Sequence, residues 1–472
     1  MSGRALWIVA WLSAVGLSPA GLSAGEITEF WLYKSANLLV DKNVDEVAAL
    51  LARAGRAGYT HCLLTDSKFS RLHEMPERYF RNVEKAKAAA KSANIELVPA
   101  LFSFGYSNDL LGRDPNLIEA LPVKDAPLVV ENGVARSTAA PPILKNLDFN
   151  SPKPWDWKDD NVSLENGEAV FTEPRGKVSR ISQKVSLTPF RQYHIQAKIR
   201  CENFEGTPEI KVIAGNRVLN YDYLKTESTQ DWKTHHVVFN PQEHTQGNLY
   251  IGAWDGRGGR FLVDDVVVEE TPFVNLVRRD GAPLVVTTAD GRVLKEGADY
   301  EPLVDPLMGT QPYNGCYTVY HEPPVLRCKL PNGTKLLASY HHAATVHDDQ
   351  ANICPSEPKT VELIREQAER LHKLFGAKGY MMSHDEIRVY NQCAACRARN
   401  LDAGPLLADN VKTCIKALRD VNPNGRIYVW SDMFDPFHNA RKDFYLSRGD
   451  FAGSWEGLDA GVTIVPWYFE KR

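Results

Sequence analysis

Tyr380-Met381-Met382-Ser383-His384-Asp385-Glu386-Ile387-Arg388 begins as an apolar run and ends in a cluster of ionisable groups. Read as a strand, it is buried at its start and has to leave the core by Asp385 and Glu386, because burying two unpaired carboxylates costs far more than a fold can offset. Its flanks set the class of fold. On the N-terminal side Val361, Ile364, Ala368, Leu371 and Phe375 recur at helical spacing, with Ser356 as the expected cap and Gly376 and Gly379 closing the segment. On the C-terminal side Leu407, Val411, Cys414, Ile415 and Leu418 mark a helix over 405–421, and a strand Arg426-Ile427-Tyr428-Val429-Trp430 follows, ending in Ser431-Asp432. Helix and strand alternating at this spacing predict a parallel sheet.

The same alternation appears near the N-terminus. Phe30-Trp31-Leu32-Tyr33 reads as a first strand; Asn43, with Glu46 three residues on, caps a helix carrying Val44, Val47, Ala48 and Leu51; a second strand runs from Tyr59 to Thr65 and ends at Asp66. A helix over about 77–93 leads to a third strand, Ile95 to Leu101. The residues after each strand, Lys34, Asp66 and the Ser103-to-Asn108 loop, then belong to the carboxyl edge, where parallel α/β folds keep their sites.

Between these halves the period changes. From 109 to 142 the texture is that of a loop, and from about 145 to 270 short alternating strands recur without helices: 170–171, 178–181, 193–199, 209–213, 236–239 and 249–252. That pattern predicts an antiparallel sandwich inserted into the α/β part. Residues 273–330 stay β-like, and Lys335 to Tyr340 reads as another strand, ending in His341-His342. The last strand is Val462 to Tyr468. The expected organisation is thus a signal peptide at 1–24, barrel at 25–140, sandwich at 145–272, a small β-rich extension at 273–330 and barrel again at 331–472. Seven strands can be counted, near 30, 61, 97, 338, 381, 428 and 464, where a closed (β/α)8 TIM barrel needs eight; either one is hidden or the last unit is absent.

Composition narrows the function. A hydrophobic fraction of 43%, a charged fraction of 24% and a mean hydropathy of -0.33 describe a globular protein. A net charge of -4 gives no reason to expect a nucleic-acid partner or an anionic membrane surface. Arg4 precedes an apolar stretch over 5–17, and Ser18-Pro19-Ala20 or Leu22-Ser23-Ala24 offers small residues for cleavage, so export to a secreted or periplasmic location is expected. No later segment is apolar for long enough to span a bilayer. The eight cysteines are scattered, and only Cys393-Ala-Ala-Cys396 has motif spacing; with no second pair or suitably spaced histidines in view, a local disulfide or two thiols is expected rather than a metal.

Two resemblances follow from quoted residues. Asp148-Phe149 and Trp155, Pro189-Phe190-Arg191-Gln192-Tyr193, Asp231-Trp232 and the closing Phe261-Leu262-Val263-Asp264-Asp265-Val266 resemble a jelly-roll carbohydrate-binding module of the kind attached to secreted glycosidases. The resemblance implies that sugar is gripped by exposed aromatics, for which Trp155, Trp157, Tyr221, Tyr223 and Trp254 are candidates. Ile353-Cys354-Pro355-Ser356-Glu357-Pro358, the helix to Phe375 and the strand ending Asp385-Glu386 look like the catalytic segment of family 20 glycoside hydrolases, the β-hexosaminidase family, and Trp430-Ser431-Asp432-Met433 is similar to its Trp-bearing strand. Ser383-His384 stand where that family carries two glycines.

The second resemblance implies hydrolysis of a β-N-acetylhexosaminide assisted by the substrate's own acetamido group, with Glu386 as general acid and Asp385 orienting that group, and without a cofactor. The strand-end residues Asp66, His341, His342, His384, Trp430, Asp432, Trp467 and Tyr468 are the expected substrate contacts, and an oligo- or polysaccharide is the expected partner. Three alternatives stand beside it: Asp385 and Glu386 as a structural ion pair with Arg388 or Arg397; a non-catalytic carbohydrate-binding protein; and a metal-dependent polysaccharide deacetylase using His341, His342, His347, Asp348, Asp349 and His384.

Overall fold

The computed structural model describes residues 28–468 except 142–143, 152–154, 173–177 and 348, so the expected signal peptide and Asp348 lie outside the described residues. Six strands form one parallel sheet in the order Trp31–Ser35, His61–Thr65, Glu96–Phe104, Gly379–His384, Arg426–Trp430 and Val462–Val465. Helices Asp41–Arg56, Glu77–Ser92, Pro358–Phe375 and Ala403–Val421 connect them. Successive side chains of a strand face opposite sides. Cys62, Leu64, Tyr380 and Met382 join Val47, Val83, Ile364 and Val411 in the large helix-facing core. Leu63, Val98, Ala100, Met381 and Tyr428 pack on the other face, with Trp31, Trp430 and Val465 against them.

A closed eight-stranded barrel, which the count of seven strands left in question, is not formed among the described residues. Trp31–Ser35 and Val462–Val465, at the two ends of the sheet, each pair on one side only, so the sheet is open. The strand counted near 338 is the reason for the miscount: Lys335–Ala343 pairs antiparallel with Ala120–Glu131, Leu276–Val277 and Val285–Thr288, and with Val134–Ser137 completes a separate sheet. The Ala120–Glu131 strand lies where the sequence suggested loop; its alternation of buried and exposed residues holds from Ala126 onward but is broken before it by the buried run 120–123, which includes Pro122, and by the exposed pair Lys124-Asp125. Two helix starts also differ. Asp41–Arg56 begins two residues before Asn43, whose amide instead donates to the Asn37 carbonyl, and Pro358–Phe375 starts at its proline after Glu357, leaving the Ser356 hydroxyl without a partner.

The inserted sandwich agrees with the alternation. One five-stranded antiparallel sheet contains Gln230–Phe239, Tyr193–Glu202, Arg260–Glu270, Glu168–Thr172 and Val162–Glu165. The other contains Arg217–Val218, Glu209–Ala214, Gln246–Ala253, Ser179–Ser186 and Trp157–Lys158. Phe171, Ile195, Ile199, Ile210, Val212, Ile251 and Phe261 interdigitate between them.

Candidate functional site

Three adjacent parallel strands deliver polar residues to one stretch of the carboxyl edge. Glu96–Phe104 runs into Gly105 and Tyr106; Gly379–His384 into Asp385, Glu386 and Arg388; Arg426–Trp430 into Asp432. Alternation along the central strand sends Tyr380, Met382 and His384 toward the helices and Met381 toward the opposite face. Gly105 has φ +98°, and a Cβ there would overlap the Asp385 carbonyl oxygen, so glycine is what lets the two loops touch. Glu386 itself takes a left-handed conformation, φ +49°.

The Glu386 carboxylate is engaged on both oxygens: Arg388 Nη2 stands 2.7 Å from Oε1, and the Tyr106 hydroxyl donates to Oε2. Arg388 is itself braced, donating through Nη1 to Tyr106 at 3.3 Å and to the Gln350 side-chain oxygen, with its guanidinium 4.9 Å from the Tyr445 ring centre. Gln350 returns its amide hydrogens to the carbonyls of Gly105 and Glu386, at 2.8 and 3.0 Å. The ion pair expected with Arg388 therefore exists for Glu386, and not for Asp385, which receives no hydrogen bond from another side chain among the described residues. Burial, with the charges of Asp432 and Glu386 close by, pushes the Asp385 carboxyl up to about 8. Asp432 is buried and raised for the same first reason; it accepts from the Glu386 backbone N–H at 2.8 Å, Asn439 Nδ2 at 2.8 Å and Trp467 Nε1 at 3.2 Å.

The other expected contacts divide sharply. Trp467 and Tyr468 reach the site, ringed around His438 at centroid distances of 5.1 and 5.2 Å, while Trp430 is half-buried against the face of the sheet opposite the helices. Asp66 is spent on structure, accepting from the backbone N–H of Leu38 and Lys68 and the Tyr79 hydroxyl. His384 is fully buried, stacked on Phe104 and bonded through Nε2 to Asn410 Oδ1 at 3.0 Å; burial depresses it to about 4. His341 and His342 belong to the antiparallel sheet and are likewise depressed to about 4 by burial, His342 facing the Asn240 amide. Burial thus keeps these three histidines away from a substrate, and among the described residues no potential metal-binding group contains a histidine.

Tyr106, Gln350, His438 and Asn439 are residues of this site that the sequence did not single out. Tyr106 lies in the Ser103-to-Asn108 loop, but Ser103 and Ser107 bond inward, and only the fold shows which member of that loop turns to the acids. The sandwich also reaches this edge. Arg217 donates to the Tyr445 and Ser447 carbonyls at 3.1 and 2.6 Å, and Tyr221 lies 4.5 Å from the Tyr445 ring.

On the sandwich, Trp155 is buried against Phe149 and cannot meet a ligand. Trp157, 42% exposed, starts a row that runs across the sheet through Ser182 and Tyr250 to Lys211. Arg180 spans it, 5.1 Å from the Trp157 ring centre and 5.7 Å from that of Trp254, and Lys211 Nζ lies 4.2 Å from Trp254. Gly252, opposite Arg180, leaves room for that side chain to lie flat.

No protein-family profile and no curated protein matches the chain. Among solved structures it is similar to a CBM4 chain at 15% identity, covering 27% of this chain and all of that one, with a TM-score of 0.24. A CBM61 chain in complex with beta-1,4-galactotriose matches at 20% identity, over 28% of this chain and all of that one, with a TM-score of 0.21. A mutant of a family 29 carbohydrate-binding module matches at 18% identity, over 28% of this chain and 89% of that one, with a TM-score of 0.21. No described helix is long and apolar enough to cross a membrane.

Proposed function

We propose that this protein is an exported glycoside hydrolase whose acid–base site is Asp385, Glu386 and Asp432, carried on an open, barrel-type parallel sheet. The observation behind this reading is the convergence of three carboxyl groups from two neighbouring strand ends, in environments that differ. Paired carboxyls pushed apart in protonation are what glycosidic cleavage needs, one to give a proton to the leaving oxygen and one to stay charged. Asp385, raised to about 8 and unengaged by other side chains, holds the proton at neutral pH; Glu386 is the carboxyl that faces the Arg388 guanidinium. This reverses the division of labour implied by the β-hexosaminidase resemblance, in which Glu386 is the acid. Trp467 and Tyr106 flank the acids and offer faces and hydroxyls to a pyranose, and the Trp157–Tyr250–Trp254 face of the sandwich supplies a second sugar-stacking surface.

Turnover of a panel of aryl glycosides, including N-acetyl-β-hexosaminides, tests the reading. Glu386→Gln and Asp385→Asn should each lower kcat/KM by about 100-fold or more; a wild-type chain active on some member, with both variants unimpaired, would sink it. The Glu386–Arg388 ion pair favours one rival, a sugar-binding protein without turnover. That rival predicts retention on a glycan column by a wild-type chain that hydrolyses nothing.

A further inference from the structure

The Cys393-x-x-Cys396 pair does not stand alone. Cys354 Sγ lies 3.4 Å from Cys393 Sγ and 3.5 Å from Cys396 Sγ, and Glu119 Oε2 lies 3.5 and 3.4 Å from those same two sulfurs. All four ligand atoms fall within 4.8 Å of one another, and all four residues are buried. From this geometry we infer that Glu119, Cys354, Cys393 and Cys396 form a structural zinc site, three thiolates and one carboxylate, that clamps the loop bearing the acids.

Distances decide the ligand class. A disulfide places its sulfurs about 2.05 Å apart, whereas a tetrahedral zinc with Zn–S of about 2.3 Å and Zn–O of about 2.0 Å has S···S edges of about 3.8 Å and S···O edges of about 3.5 Å. These four separations lie within about 0.4 Å of such a tetrahedron, and all the described cysteines are free thiols. Three sulfurs and an oxygen around one point are soft enough to select zinc over calcium or magnesium.

The surroundings of the cluster are organised as a metal's outer partners are. Glu119 Oε1 accepts the backbone N–H groups of Gln392 and Cys393, at 2.6 and 2.8 Å, which turns Oε2 onto the sulfurs. The backbone sets the pairing: Glu119 N–H donates to Asn352 O and Cys354 N–H to Leu117 O, both at 2.7 Å, so Glu119 and Cys354 arrive together. Arg279, with a side chain 6% exposed, donates to the Asn116 and Ile118 carbonyls and to Glu357, and its Nη2 has no hydrogen-bond partner. Its charge acts on Cys354, Cys393 and Glu119 and offsets the negative charge that three thiolates and a carboxylate leave on a divalent ion. With four protein ligands and no open position, the site is structural. Binding the ion releases the thiol protons to solvent.

The site ties together three distant stretches: the start of Ala120–Glu131, the approach to Pro358–Phe375, and the segment five residues beyond Arg388. It is independent of the reaction proposed above. The test is metal analysis of the full-length protein, purified with a thiol reductant and without chelator, then exposed to zinc and desalted. One zinc per chain is expected, with an X-ray absorption shell of three sulfurs and one oxygen. Modifying the cysteines with p-hydroxymercuribenzoate should release that zinc to a chromogenic chelator. Glu119→Gln and Cys354→Ser should lose zinc to a chelator concentration that leaves the wild type loaded. Should either variant fail to fold, the wild-type stoichiometry and absorption spectrum still decide. Wild-type protein that takes up no zinc, or an intact mass showing two of these cysteines joined as a disulfide in the folded protein under the same reductant, would overturn the inference.

Discussion

The backbone N–H of Glu386 donates to Asp432 Oδ2 at 2.8 Å, so one acid of the site is positioned by another on the neighbouring strand. Asp432 gathers this donor with those of Asn439 and Trp467, while Glu386 holds a left-handed backbone that leaves its N–H pointing across the strand gap. Three consequences of that linkage, and two from elsewhere in the fold, can be measured.

Asp432→Ala strips the acceptor from three donors, two of them on side chains that frame the site. Removing the acceptor of a buried hydrogen bond costs about 1–3 kcal/mol for each donor left unsatisfied. The urea midpoint should fall by at least the equivalent of one such bond, with turnover lost. An unchanged midpoint would show that Asp432 is not the organising acceptor.

Asp385 carries its proton to about pH 8 when folded but would release it near 3.8 when unfolded. The folded state therefore binds the extra proton between those values, and its contribution to stability is full below about 3.8 and is lost as pH rises through about 8. Wild type minus Asp385→Asn stability, from denaturant titrations, should fall across this window by up to about 1.4 kcal/mol per pH unit. If Asp385 is the proton donor, wild-type kcat/KM should also decline above about pH 8. A flat stability difference from pH 4 to 8 contradicts the assignment.

Gly105→Ala places a methyl group on the Asp385 carbonyl in a conformation, φ +98°, that alanine avoids. Activity should fall at least as steeply as stability, because the displaced loops carry Tyr106 and Asp385. Crystal soaks or chemical-shift changes confined to 104–106 and 385–388 would report the same displacement, and a fully active variant would contradict it.

His384 stays neutral to about pH 4 when folded, against 6.5 for the free side chain. Here the unfolded chain takes the proton first, so stability is lost as pH falls from about 6.5 to about 4. His342, fully buried and depressed to about 4, adds a loss of the same sign. Replacing His384 with Gln should flatten part of the acid limb of the thermal-stability profile; an identical limb would place its cause elsewhere.

Trp157→Ala and Trp254→Ala test the sandwich face, on which neither side chain supports the core. Aromatic contacts of this kind are worth about 0.5–1.5 kcal/mol, so glycan affinity by calorimetry should weaken roughly 2- to 10-fold for each, with unchanged circular dichroism. Trp155→Ala, by contrast, should unfold the sandwich before it alters binding, since Trp155 stacks on Phe149 inside it.

Much of the architecture was legible from periodicity. The strands at 61–65, 193–202, 209–214 and 426–430 and the helix at 403–421 lie where hydrophobic spacing put them, because each buries a face whose period is set by local geometry. Lys335–Ala343 shows the limit. Its residues read as a strand, and it is one, but alternation cannot say which sheet a strand joins or in which direction, and on that choice rest the barrel count and the positions of His341 and His342. His384 failed for a related reason: as the last residue of its strand it could emerge with Asp385 or remain inside with Met382, and the helix-side Asn410 and Phe104 decided for the inside.

By itself the sequence determined that a buried strand ends in two carboxylates within an α/β alternation interrupted by a sandwich, since apolar period and charge placement are properties of short segments. Only the tertiary structure decided that Glu386 pairs with Arg388 and Tyr106, that Asp385 is buried beside Asp432 and Glu386 and raised there, and that Cys354 and Glu119 lie against the Cys393–Cys396 pair. Those relations link residues up to about 280 positions apart in the chain, as for Tyr106 and Glu386. Partners, burial and the energy of a charge exist only once distant segments are packed, and no local pattern encodes them.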